Sequence, residues 1–117
     1  MEKVAANFLC REVYIQNVLS AYRQTPGTAG TVRRADRELA SQLYTRGVPL
    51  EAVENAMVLA TARRLFRPAE ALPLGTIRSL AYFMPVIEEV LELHVRPTYF
   101  RYLRYKIQSF LQTAKTC

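Results

Sequence analysis

Residues 49–66 read PLEAVENAMVLATARRLF. Pro49 suits a first helical turn, where its missing N–H costs no hydrogen bond. Glu51 and Glu54 follow near the positive end of the helix dipole, and Arg63 and Arg64 close the segment near the negative end. Leu50, Val53, Met57, Ala60 and Leu65 recur at helical spacing and are expected to face inward. Between them NAMVLATA is apolar around much of the circumference, which predicts a buried helix rather than a surface one. Ala56, Ala60 and Ala62 are small enough to let neighbouring helices approach closely.

The flanking sequence repeats this grammar. Upstream, residues 2–23 carry Val4, Phe8, Ile15, Val18, Leu19 and Tyr22 at three- and four-residue steps, and QTPGTAG then reads as a loop. Residues 32–45 form a second helical segment with Thr31 as candidate N-cap, an apolar face of Ala35, Leu39, Ala40, Leu43 and Tyr44, and Gly47 as the stop. Downstream, RPAEALPLG is a loop. Residues 76–93 place Ile77, Leu80, Ala81, Met84, Ile87, Val90 and Leu91 at helical spacing, with Pro85 inside. Proline removes a backbone bond and clashes with the carbonyl four residues back, so a kink or break is expected around Phe83 and Met84. After Pro97, residues 98–113 carry Tyr99, Tyr102, Leu103, Ile107, Phe110 and Leu111 as the apolar face of a last helix. The expected architecture is all-α: one domain over 1–117, a compact bundle of about five helices, the fourth kinked or broken at Pro85.

Composition narrows the function. No apolar run approaches the roughly 18 residues of a membrane span. The start, MEKVAANFLCREVY, carries acids and an amphipathic rhythm rather than a signal-peptide pattern, so a cytoplasmic location is expected. Cys10 and Cys117 are too far apart in sequence to suggest a metal motif, and a cytoplasmic setting disfavours a disulfide between them. The one histidine, His94, fits the C-terminal end of a helix better than a catalytic or ligating role. No phosphate-binding glycine loop and no nucleophile–base set can be assembled. Glu88 and Glu92 share a helical face, and a solvated acidic surface accounts for them. No catalytic residue, metal or cofactor is therefore assigned, and the chain is expected to bind rather than catalyse.

Charge points to a partner. Sixteen Lys and Arg stand against ten Asp and Glu, a net charge of +6, and the pI is about 9.7. Thirteen of the cations are Arg, whose planar fork suits phosphates and base edges, although a GC-rich coding sequence also favours Arg. From Arg96 to Cys117 there is no acid, and aromatics interleave with cations in RPTYFRYLRY. Arg96, Arg101, Arg104 and Lys106 are candidate phosphate contacts, with Tyr105 or Phe100 stacking on bases. An amphipathic helix with a solvated basic face, or one docked on Glu88, Glu89 and Glu92, explains the same residues. A second basic group comprises Arg33, Arg34, Arg37, Arg46, Arg63, Arg64 and Arg67, diluted by Asp36 and Glu38. The helix–Gly47–helix arrangement between them departs from standard helix-turn-helix spacing, because the glycine comes late.

The stretch DRELASQLYTRGVPLEAVENAMVLATARR, followed by LGTIRSLAYFMPVIEEVLE, resembles the C-terminal module of DnaD-like bacterial replication initiation proteins and of plasmid and phage replication initiators. The resemblance covers residues 36–92 and rests on a helix ending in a glycine turn, Val53 and Ala56 in the next helix, and Ile77 and Leu80 in the one after. IRSLAYFMPVIEEV also looks like short accessory proteins of bacterial mobile elements. The resemblance implies DNA, in preference to RNA, as the nucleic-acid partner, contacts with replication or transposition proteins, and self-association. The competing expectation is a helical protein–protein interaction or oligomerisation module that does not bind nucleic acid, motivated by the abundance of apolar residues in every segment.

Overall fold

The computed structural model describes the backbone of residues 2–68, 70–93 and 97–116, and the side chains of 10–68, 70–93 and 98–112. Val4, Phe8 and Lys115 therefore lie outside the described side chains, and His94, Arg96 and Cys117 outside the described residues altogether. Five α-helices follow one another: α1 Glu2–Gln24, α2 Arg34–Thr45, α3 Leu50–Leu65, α4 Met84–Leu93 and α5 Pro97–Thr116. A short 3-10 turn, Leu80–Phe83, runs directly into α4. None of the described helices is long and apolar enough to cross a membrane.

The helix α3 is the centre of the bundle. It packs against α1, α4, α5 and the 3-10 turn. Val53, Ala56, Met57, Leu59, Ala60 and Ala62 are all buried, so the helix is covered on most of its circumference. That follows from NAMVLATA: small alanines admit neighbours, and no charged side chain interrupts the run. Ile15, Val18, Leu19 and Tyr22 of α1, Leu43 of α2, Leu80 and Phe83 of the 3-10 turn, Ile87 and Val90 of α4, and Phe100, Leu103 and Ile107 of α5 belong to the same core. Tyr22 meets Phe83 edge-to-face at 6.1 Å, joining α1 to the 3-10 turn.

Two boundaries and one buried face differ from the sequence expectation. The N-cap of α2 is Arg33 rather than Thr31. Asp36 sets this start: its Oδ2 accepts from the Arg33 backbone N–H at 2.9 Å. The fourth segment changes from a 3-10 turn to α-helix at Phe83–Met84, where a kink or break is expected, but it does not begin at Thr76. Residues 76–79 are non-helical, with Ile77 forming an isolated parallel bridge to Thr28, and Pro85 stands in the first turn of α4. Proline is tolerated there because the first-turn amides have no intrahelical acceptor. In α5 the buried stripe is Phe100, Leu103 and Ile107, while Tyr99, Tyr102 and Phe110 are exposed. Phe100, at 2% exposure, is a core residue and has no face to offer a base.

Candidate nucleic-acid interface

The helix α5 presents the acid-free segment to solvent. With Phe100, Leu103 and Ile107 turned to the core, the 3.6-residue repeat carries Arg101, Tyr102, Tyr105 and Lys106 to the far side, and all four are exposed. Tyr105 is 70% exposed. Lys106 Nζ lies 5.7 Å from the Tyr102 ring centre, a cation–π contact that leaves the ammonium charge in place. Arg104 lies nearer α3, and its Nη2 donates to Asn55 Oδ1 at 3.0 Å. Asn55 is buried. As a polar residue within NAMVLATA it is the one sequence signal that α3 anchors a side chain from elsewhere.

Two of the three acids of α4 are engaged by arginines outside α5. Glu88 Oε1 lies 2.7 Å from Arg46 Nη2. Arg63 makes a two-pronged contact with Glu89, Nη1 donating to Oε2 at 2.8 Å and Nη2 to Oε1. The bonded guanidinium holds the Glu89 carboxyl below the usual carboxylate range, outweighing the opposing effect of desolvation. The same bonds push Arg63 above its ordinary value.

The second basic group divides into several environments. Arg37 pairs with Glu12 at 2.9 Å. Arg34 pairs with Glu38 at 3.5 Å across one helical turn, with both side chains largely exposed. Such exposed pairs contribute at most about 1 kcal/mol. Asp36 does not dilute the surface charge, because it is 1% exposed. Arg33 is itself exposed, and no ion pair holds it among the described residues. Arg64 and Arg67 are fixed by neutral oxygens. Arg64 Nη2 donates to the Gly75 carbonyl at 2.7 Å and Nη1 to the Tyr82 hydroxyl at 3.2 Å, while Arg67 Nη1 donates to the Leu72 carbonyl at 2.8 Å. The sequence reading passed over Arg23 and Arg78, both exposed and without an ion pair among the described residues. As single cations with no charged neighbour in sequence they give no pattern.

The groups assigned to binding therefore do not form one cluster. Arg101, Tyr105 and Lys106 share the outer face of α5, Arg104 lies at its edge, and Arg63 belongs to the α3–α4 contact. Arg64 and Arg67 hold the 66–76 loop. Arg96 falls outside the described residues. Among the described residues no group of three or more His, Cys, Asp or Glu is placed to hold a metal ion. No family model, curated protein or solved structure matches the chain.

Proposed function

We propose that this protein binds nucleic acid through the outer face of α5, as an accessory factor in DNA replication or in a mobile genetic element. One observation carries the reading: Arg101 and Lys106 stand exposed on α5 with no ion pair among the described residues, while Glu88 and Glu89 are engaged by Arg46 and Arg63. Arg101 and Lys106 contact phosphates, and Tyr102 and Tyr105 between them offer rings to bases. Binding proceeds by phosphate neutralisation and counterion release, with no chemical step. The replication or mobile-element setting, the preference for DNA and a cytoplasmic location rest on the sequence resemblance and composition described above.

The test is fluorescence anisotropy with labelled single- and double-stranded DNA and RNA across a salt series. Micromolar or tighter binding that weakens with salt, and that drops in the Arg101→Ala/Lys106→Ala double variant, is the expected result. Absence of binding at low salt sinks the reading, because electrostatic attraction is greatest there.

A second reading is favoured by the exposed Phe66, Leu93, Tyr99 and Phe110. Phe66 and Phe110 meet edge-to-face at 5.9 Å on the surface. An exposed aromatic pair, with further exposed apolar side chains on the surface, suits self-association or a helical protein partner. Multi-angle light scattering separates the possibilities: a strict monomer removes self-association from this reading.

A further inference from the structure

Two surface grooves adjoin beside α3. The first, of about 390 Å³, lies between the end of α1, α3 and α5; its apolar wall includes Met57, Val58, Ile107 and Leu111. The second, of about 340 Å³, lies between the Pro26–Gly27 turn, the end of α3 and the 66–76 loop. Pro26 and Thr61 line both, so the grooves run into each other. Each has the size of an ordinary small-ligand recess, within the range of about 300–1,000 Å³.

The charge along this path is one-sided. Arg104 lines the first groove, and Arg64 and Arg67 the second; the one acid among the lining residues is Glu54. Elsewhere on the surface Arg37, Arg46 and Arg63 are each met by a glutamate. The three groove arginines are instead positioned by neutral acceptors: the Asn55 amide, the Gly75 and Leu72 carbonyls and the Tyr82 hydroxyl. Neutral acceptors orient a guanidinium without cancelling its charge, and a guanidinium has more donors than these bonds consume. The side chains are held in place for an anion before one arrives. Gln24 and Gln108 border the apolar wall of the first groove, and their amides can donate to and accept from a base edge.

We infer that the joined grooves form a track for a single nucleic-acid strand, with bases against Met57, Val58, Ile107 and Leu111 and phosphates at Arg104, Arg64 and Arg67. The inference goes beyond the outer face of α5 to a second surface, and it rests on the reading that the protein binds nucleic acid. A duplex keeps its base faces stacked inside and offers only its backbone and the base edges in its grooves, whereas an unpaired strand can turn apolar base faces into a recess while its phosphates follow the cations.

The experiment uses an oligothymidylate carrying one 2-aminopurine, its duplex form, and the full chain. Single-strand binding tighter than duplex binding at equal salt is expected, with a change in 2-aminopurine fluorescence. Gln108 is exposed, so Gln108→Trp fills the first groove from its rim, and Arg67→Gln removes charge from the second. Each is expected to weaken single-strand binding by about tenfold, with thermal unfolding checked to remain cooperative. Equal single-strand and duplex binding, lost in Arg101→Ala/Lys106→Ala but indifferent to Gln108→Trp and Arg67→Gln, overturns the track and leaves the α5 interface standing. Failure to bind either form overturns both. A labelled acidic peptide that binds in a Gln108→Trp-sensitive way, when the single strand does not, overturns the track in favour of a protein partner.

Discussion

Asp36 Oδ1 accepts the backbone N–H of Leu80 at 2.9 Å, 44 positions along the chain. The other oxygen of the same carboxyl group accepts from Arg33 N–H, and the Ser79 hydroxyl donates to Oδ1 at 3.4 Å. One buried side chain thus starts α2 and fixes the entry into the 3-10 turn. Replacing it with alanine leaves two backbone amides without these acceptors, and buried unsatisfied donors are expensive. Asp36→Ala is expected to lower unfolding free energy by on the order of 3 kcal/mol, read as a shift in the urea midpoint. Asp36→Asn keeps one acceptor oxygen and is expected to lose about half as much. An unchanged midpoint in the alanine variant contradicts this account.

The Arg63–Glu89 pair gives the fold an acid sensitivity. Its carboxyl titrates below its ordinary value of 4.5 in the folded protein, held there by the Arg63 bonds. A group lowered in this way contributes stability that is fully present above its unfolded pKa and is lost as pH falls through the folded value. The Arg63 shift is upward and far above neutrality, so it adds nothing to this window. Thermal midpoints recorded from neutral pH to below 4 are expected to fall less steeply for Glu89→Gln than for wild type. Because the pair is half-exposed, raising salt is expected to shrink the difference. Parallel pH curves for the two proteins rule the linkage out.

The helical punctuation was legible because it is written in local chemistry. Pro49 opens α3, Gly47 ends the preceding helix, and the apolar run from Asn55 to Ala62 announces a central helix. What escaped depends on contacts distant in sequence. Thr31 looks like a cap until Asp36 is seen accepting from both Arg33 and Leu80. In α5 the alternation PTYFRYLRY puts a ring on every face, so composition cannot tell that Phe100 is buried and Tyr102 exposed. The sign of the surface charge was readable. Its distribution was not, because Arg37 meets Glu12 25 residues away and Arg63 meets Glu89 26 residues away. Likewise nothing local joins Arg104 to Asn55.

Gly47 is a test of the turn between α2 and α3. Its φ is +76°, in the left-handed region where a side chain is strained. A Cβ built there meets nothing within 4 Å, so the cost of a substitution is backbone strain rather than collision. Gly47→Ala is expected to destabilise by about 1–2 kcal/mol, and Gly47→Asn by less, since asparagine tolerates this conformation better. Circular dichroism with urea unfolding measures both. Equal losses for the two variants would mean that something other than backbone strain limits the position.

The salt dependence of binding counts the phosphate contacts made by α5. The slope of log affinity against log salt concentration changes by about 0.7 per phosphate contact on a single strand and about 0.9 on a duplex. Arg101→Ala and Lys106→Ala each remove one exposed cation from a face that carries no acid. Each is expected to flatten the slope by about one such increment, and the double variant by about two. Tyr105→Ala behaves differently: a ring that stacks on a base carries no charge, so affinity falls while the slope stays at the wild-type value. Tyr105→Phe keeps the ring and is expected to keep the affinity. A slope that flattens in Tyr105→Ala, or stays unchanged in the arginine and lysine variants, places the phosphate contacts on another part of the surface.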